Sequence, residues 1–188
     1  MKVWQYFVAA LLIVAFAFSR LAVFYNKPDQ GIRDFVYQKD KDHIDALFHK
    51  DDNWYWLICD ASMDTYSLDF TLKYKTSSQY EALHNLVLKV LEVDGKIAGF
   101  MAYYPNSMYT WNLLFLVVDP DYRQQGLAMK LLTYGVKDMV ARGAVKIDMV
   151  TRPVNTRARA LYKKFGFKQL DEDADFVNLT WHKSWGMP

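Results

Sequence analysis

Between Trp111 and Arg142 the chain runs through an apolar stretch, a proline turn, a glycine and then an apolar stripe at helical spacing. Trp111 to Val118 (WNLLFLVV) is nearly continuously apolar, which predicts a central strand buried on both faces. The strand ends at Asp119-Pro120. Gln125 to Arg142 then places Leu127, Leu131, Gly135, Val136 and Met139 along one side of a helix that Gly143 closes. A buried strand passing through a tight turn into an amphipathic helix needs a sheet beneath it, so the rest of the chain has to supply one.

The flanking segments supply it. Ile32 to Tyr37 reads as an opening strand, and Asp40 to His49 as a helix carrying Ile44, Leu47 and Phe48. Leu86 to Val93 and Ile97 to Tyr104 form a hairpin about Asp94-Gly95-Lys96. Val145 to Val150 is a strand, Asn155 to Phe165 a helix, and Phe176 to Trp181 a last strand. The aromatic stretch Asn53 to Cys59 and the mixed region Ser62 to Asn85 fit no single element type. The sum is a mixed α/β (α+β) domain with one central sheet. Hydrophobic residues at 52% and charged residues at 23% suit one packed domain and exclude a disordered chain. A net charge of +2 without a Lys/Arg cluster excludes a nucleic-acid partner on charge grounds. Cys59 is the only cysteine, so no intramolecular disulfide can form, and His43, His49, His84 and His182 lack metal-ligand spacing. No metal is expected.

Residues 1–25 stand apart. Val3 to Phe18 (VWQYFVAALLIVAFAF) contains Gln5 as its only strongly polar residue, and Leu21 to Tyr25 resumes the apolar character after Ser19-Arg20. A helix needs about 20 apolar residues to cross the hydrocarbon layer, a length reached here if Arg20 snorkels to the interface. Trp4, Tyr6 and Tyr25 stand where an aromatic belt places them. A retained membrane anchor fits length and flanks best. A cleaved signal peptide, with Ala15-Phe16-Ala17 as its cleavage site, and an interfacial helix are the other two readings. The expected organisation is an anchor over 1–25, a linker over 26–31, a folded domain over 32–183 and a tail over 184–188.

Leu116-Val117-Val118-Asp119-Pro120-Asp121-Tyr122-Arg123-Gln124-Gln125-Gly126-Leu127-Ala128-Met129 holds the candidate chemistry. The first amides of a helix have no partner within it, and the dipole there favours anions. Gly126 removes the side chain that would keep a phosphate from the backbone, and Arg123 adds a charged fork that grips phosphate oxygens. The physical reading is a diphosphate cradle, although a glycine at a helix start is by itself a common structural turn.

Leu116 to Ala128 closely resembles motif A of the GNAT N-acetyltransferase superfamily: a hydrophobic strand, Asp/His-Pro, then Arg/Gln-x-x-Gly-x-Gly/Ala. Asn155-Thr-Arg-Ala-Arg-Ala-Leu-Tyr162-Lys-Lys-Phe-Gly166-Phe167 resembles its motif B, in the same order and at the family's spacing. The resemblance implies a central mixed, mostly antiparallel sheet flanked by helices, with acetyl-coenzyme A as donor and an amine as acceptor. It implies that the backbone of Leu116, Val117 and Val118 pairs with the pantetheine arm and polarises the thioester carbonyl. Arg123, Gln124, Gln125, Gly126, Leu127, Ala128 and Met129 would hold the diphosphate, and Asn155 would bond the arm while also capping its helix. Tyr162 would protonate the departing thiolate.

One departure stands out. An amine with a pKa of about 10.4 is protonated at neutral pH and has to lose a proton before attacking. Several family members use a glutamate on the strand before motif B, and the matching position here is Val150. Asp148, two residues earlier on the same face, Asp119 and Glu92 are the replacement carboxylates, with a water chain as the other route. Trp54, Tyr55, Trp56, Tyr103, Tyr104, Tyr109 and Trp111 are available to line an acceptor pocket or to fill the core. The expected activity is acetyl transfer to an amine by direct attack, in a domain facing the cytoplasm, where acetyl-coenzyme A is found. The competing readings are a silent acyl-coenzyme A-binding module at the membrane and a different acyl donor in the same cradle.

Overall fold

Residues 31–50 and 86–187 are described by a computed structural model of the chain. Asp94 and Gly95 take φ of 50° and 76°, the left-handed pair that lets a two-residue turn follow the twist of its strands. This turn joins β2 (Val87–Val93) to β3 (Lys96–Pro105). Before them lie β1 (Ile32–Asp34) and α1 (Tyr37–His49); after them come β4 (Thr110–Val118), α2 (Leu127–Ala141), β5 (Lys146–Thr151), α3 (Thr156–Phe165), β6 (Lys168–Glu172) and β7 (Val177–His182). The strands form one sheet in the order β1-β2-β3-β4-β5-β7-β6, in which β4 and β5 are parallel and every other neighbouring pair is antiparallel. The mixed, mostly antiparallel sheet read from the sequence is therefore present.

Each face of the sheet carries a core. Leu131, Leu132, Val136 and Met139 of α2, with Tyr162 and Phe165 of α3, pack on one face. Ile44, Leu47 and Phe48 of α1 pack against Phe100, Phe115 and Val117 on the other. α2 comes unusually close to β3: a Cβ at Gly135 would lie 2.2 Å from Met101 Sδ, which accounts for a glycine inside a helical stripe.

The sequence reading misplaces the end of β1 and misses β6. β1 stops at Asp34, not Tyr37, because the buried carboxylate of Asp40 accepts the Val36 N–H at 2.8 Å and opens α1 three residues early. β6 has no sequence signature: all five residues are exposed, without apolar alternation, and β7 with the Arg159–Glu172 pair (3.0 Å) holds it in place.

β4 is packed on both faces, as expected, with fully buried and half-buried residues alternating along it. Ala102 faces Phe115 while Tyr103 faces Leu113, so Leu114 is an extra residue and the strand bulges there. The bulge sends Trp111 and Leu113 into the α2/α3 core, and Phe115 and Val117 into the α1 core. Among the described residues no helix is long and apolar enough to cross a membrane. The N-terminal segment expected to do so lies outside the described residues, as do Trp54, Tyr55, Trp56, Cys59 and His84.

Candidate active site

The last rung between β4 and β5 joins Leu113 to Met149. Beyond it β4 stays with β3 while β5 stays with β7, so residues 114–118 have a ladder on one side alone. The strands part into a cleft of about 1240 Å³, lined by Leu116, Val117 and Val118 on one wall and by Asp148, Met149 and Val150 on the other.

The α2 end of the cleft is a donor surface. The first rung of the α2 ladder runs from Lys130 N–H to Gly126 O at 3.0 Å, which leaves the amides of Leu127, Ala128 and Met129 ahead of the ladder. Gln124 and Gly126 take φ of 63° and 76°, and alternating left-handed residues turn successive amides into one concavity. A left-handed glutamine is uncommon, and such strain concentrates at functional sites. The space that a Cβ on Gly126 would occupy holds no atom within 4 Å. Arg123, Arg157 and Lys164 add cations to the lining, and Arg123 Nε donates to Val118 O at 3.3 Å. Open amides and cations beside a splayed strand fit a diphosphate with an extended tail. Gln125 is not among the lining residues.

Asn155 accepts the Ala158 N–H at 3.1 Å, capping α3, and also lines the cleft, so the capping and cleft positions coincide. Tyr162 lines the cleft from α3, buried against Phe167 with ring centroids 5.7 Å apart. Its hydroxyl makes no hydrogen bond among the described residues. Burial pushes the phenol above its ordinary pKa, so it carries its proton at neutral pH.

The three carboxylates proposed from sequence separate. Asp148 lines the cleft, accepting from Thr180 Oγ1 at 2.7 Å and pairing with Lys146 at 2.8 Å. Asp119 does not: its carboxylate accepts the Asp121 N–H at 2.9 Å and the Lys50 ammonium at 2.7 Å, as a turn residue does. Glu92 sits on β2, paired with Arg33 and Lys39, and is absent from the lining. Val150, in the glutamate position, lines the cleft half-exposed.

Of the described aromatics considered for an acceptor pocket, Tyr104 alone reaches the cleft. Tyr103 and Trp111 are core, with the Tyr103 hydroxyl donating to Asp138 at 2.5 Å, and Tyr109 is exposed on a hairpin tip. Sequence reasoning missed Asn112, which donates to Tyr104 at 3.0 Å and lines the cleft. Its signal was present: it is the one polar residue in an eight-residue apolar run. Among the described residues no group of three or more His, Cys, Asp or Glu side chains is placed to hold a metal.

Residues 47–167 match the model of the acetyltransferase (GNAT) family. The chain belongs to this family. The GNAT domain is 34% identical over 79 residues to the ribosomal protein bS18 alanine N-acetyltransferase of Escherichia coli K12, covering 42% of this chain and 53% of that one. It is 31% identical over 91 residues to the mycothiol acetyltransferase of Clavibacter michiganensis, covering 48% and 29%. The matched stretch thus spans about half of the first relative and under a third of the second. Its fold resembles the PaiA N-acetyltransferase of Thermoplasma acidophilum solved with coenzyme A (TM-score 0.60, 18% identity, 80% and 97% of the two chains). It also resembles the Salmonella typhimurium acetyltransferase YncA solved with acetyl-coenzyme A (TM-score 0.61, 19% identity, 80% and 92%).

Proposed function

We propose that this GNAT domain transfers an acetyl group from acetyl-coenzyme A to an amine by direct attack. One observation carries the reading: β4 and β5 part beside α2 amides that precede the helix ladder, and a buried, protonated Tyr162 lines the same cleft. The α2 amides with Arg123 receive the diphosphate, and the unladdered edge of Leu116–Val118 pairs with the pantetheine arm as a missing strand would. An amide of that edge polarises the thioester carbonyl as the amine attacks. The carbon–sulfur bond then breaks, and Tyr162 gives its proton to the departing thiolate. Asp148, which lines the cleft, takes the proton that the amine gives up, directly or through water. Relatives named as N-acetyltransferases and structural neighbours holding coenzyme A or acetyl-coenzyme A support the same donor and acceptor type.

The test pairs calorimetry with acetyl-coenzyme A and a thiol-release assay over an amine panel. Tyr162→Phe should lower kcat about 10²-fold, the size of a positioned general acid, while cofactor affinity holds. Cofactor binding without thiol release for any amine would refute the reading.

Residues 1–25 are proposed to tether the domain to a membrane, with the domain on the cytoplasmic side, where its donor is found. The support is the apolar length and aromatic flanks of that segment. Membrane fractionation of the chain with and without residues 1–25 tests it, and a fully soluble intact chain rules it out.

A further inference from the structure

Strand register lines up four polar side chains across the sheet. Tyr104 pairs with Asn112, Asn112 with Asp148, and Asp148 with Thr180. Directly paired residues share a face. The adjoining Leu113, Met149 and Leu179 lie in the α2/α3 core, so the polar row occupies the opposite face, one rung before β4 and β5 part.

Hydrogen bonds within the row decide what it presents. Asn112 Nδ2 donates to Tyr104 Oη, which leaves the carbonyl Oδ1 of Asn112 outside that bond. Thr180 Oγ1 donates to Asp148 Oδ1, and Lys146 Nζ sits 2.8 Å from Asp148 Oδ2 with 41% of its side chain exposed. The row presents the Asp148 carboxylate and the Asn112 carbonyl as acceptors, with the Tyr104 hydroxyl keeping its own O–H to donate, whereas the α2 end of the cleft is rich in donors. A ligand spanning both is anionic at one end and a donor-rich cation at the other. Lys146 marks the cation's place with the protein's own ammonium, and an exposed pair of this kind is readily displaced. Beside Asp148, the lining turns apolar at the half-exposed Val150, the exposed Leu170 and Phe176.

We propose that Asp148 receives the ammonium of the acceptor before it is deprotonated, that Tyr104 and Asn112 orient it, and that Val150, Leu170 and Phe176 select an amine carried on an apolar stem. The inference rests on the acetyltransferase reading and names its acceptor class. Acidic amines are disfavoured, because a second carboxylate would meet Asp148 and Asp171, both in the lining.

The experiment measures thiol release by the full chain with n-butylamine and with glutamate as acceptors. Butylamine should be used at least about tenfold more efficiently, the scale of like-charge exclusion from a partly desolvated site. Asp148→Asn should raise the butylamine KM about tenfold, as losing a charge-assisted contact does, with the acetyl-coenzyme A KM and calorimetric affinity within about twofold. Tyr104→Phe should raise it about threefold. Lys146→Met should lower it about two- to threefold, because the competing internal ammonium is gone, a direction that a merely structural role does not produce. Turnover with the butylamine KM unmoved in Asp148→Asn, or with both KM values rising together, overturns the proposed acceptor site and leaves the acetyltransferase standing. A wild-type chain that binds acetyl-coenzyme A and acetylates no amine overturns the acetyltransferase and this site with it.

Discussion

Gly126 combines two requirements that no other residue type meets at once. Its φ of 76° lies in the left-handed region, which costs an ordinary L-residue roughly 1–2 kcal/mol. The direction in which a side chain would project is open space within the cleft lining. Gly126→Ala is therefore expected to lower stability by about 1 kcal/mol, or about 3 °C in Tm for a domain of this size. On the proposed binding mode it should weaken acetyl-coenzyme A by more than that cost accounts for, at least about tenfold, because the methyl would stand where the diphosphate approaches the amides. Calorimetry alongside thermal denaturation separates the two effects. A variant with the lowered Tm and unchanged affinity would place the diphosphate elsewhere.

At the scale of elements, β4 is organised by the extra residue Leu114 and by the glycine opposite its upper half. Gly99 of β3 pairs with Val118, and a Cβ there would lie 2.5 Å from the Val117 carbonyl oxygen. Backbone cannot yield as a flexible side chain does. Gly99→Ala should therefore push β3 and β4 apart at a cost of about 1–3 kcal/mol, and should also disturb the edge proposed to receive the pantetheine arm. The expected readout is a lowered denaturant midpoint together with a raised KM for acetyl-coenzyme A; a change in one alone would mean that strand spacing and cofactor pairing are uncoupled. Gly99 also shows what the sequence exposes and what it hides. The strand–turn–glycine–helix order was legible because each of its signals is local: an apolar run, Asp119-Pro120, Gly126 and a helical stripe. Tyr162 and Asn155 could be placed because motif spacing fixes them on one helix. The bulge at Leu114 was not legible, since it depends on which residues of β3 lie opposite, a non-local fact. For the same reason the polar row was hidden: Tyr104, Asn112, Asp148 and Thr180 are scattered over 77 positions and meet only through register. The charged strand β6 looks like a surface loop, because its pairing partner, not its own composition, makes it a strand.

At the scale of the whole molecule, the weak point in acid among the described residues is the union of the first strand and helix with the sheet. Asp40 is fully buried in α1 and takes a two-pronged bond from Arg33 of β1, at 2.6 and 2.8 Å. The same guanidinium reaches Glu92 of β2 at 2.7 Å, and Lys39 joins it at 2.9 Å. One cation thus ties the edge strand, α1 and β2 together on the margin of the α1 core. Bonding to Arg33 holds Asp40 below the usual carboxylate range and, with Lys39, takes Glu92 to about 2. In the unfolded chain these groups titrate at about 3.9 and 4.3, so between pH 2 and 5 the unfolded state binds more protons than the native one. Stability from the network is therefore fully present above about pH 5 and is lost as pH falls toward 2. Arg33→Met leaves Asp40 buried without its cation, at a cost of about 3 kcal/mol, the lower end for a broken buried pair because Arg33 is itself a quarter exposed. Part of that cost is relieved once Asp40 protonates. Thermal denaturation from pH 7 down to pH 3 should then show the variant far below wild type at neutral pH, with the two curves converging in acid. Parallel curves across the whole range would mean that Arg33 contributes packing rather than charge, and that the acid sensitivity of the fold originates at another set of carboxylates.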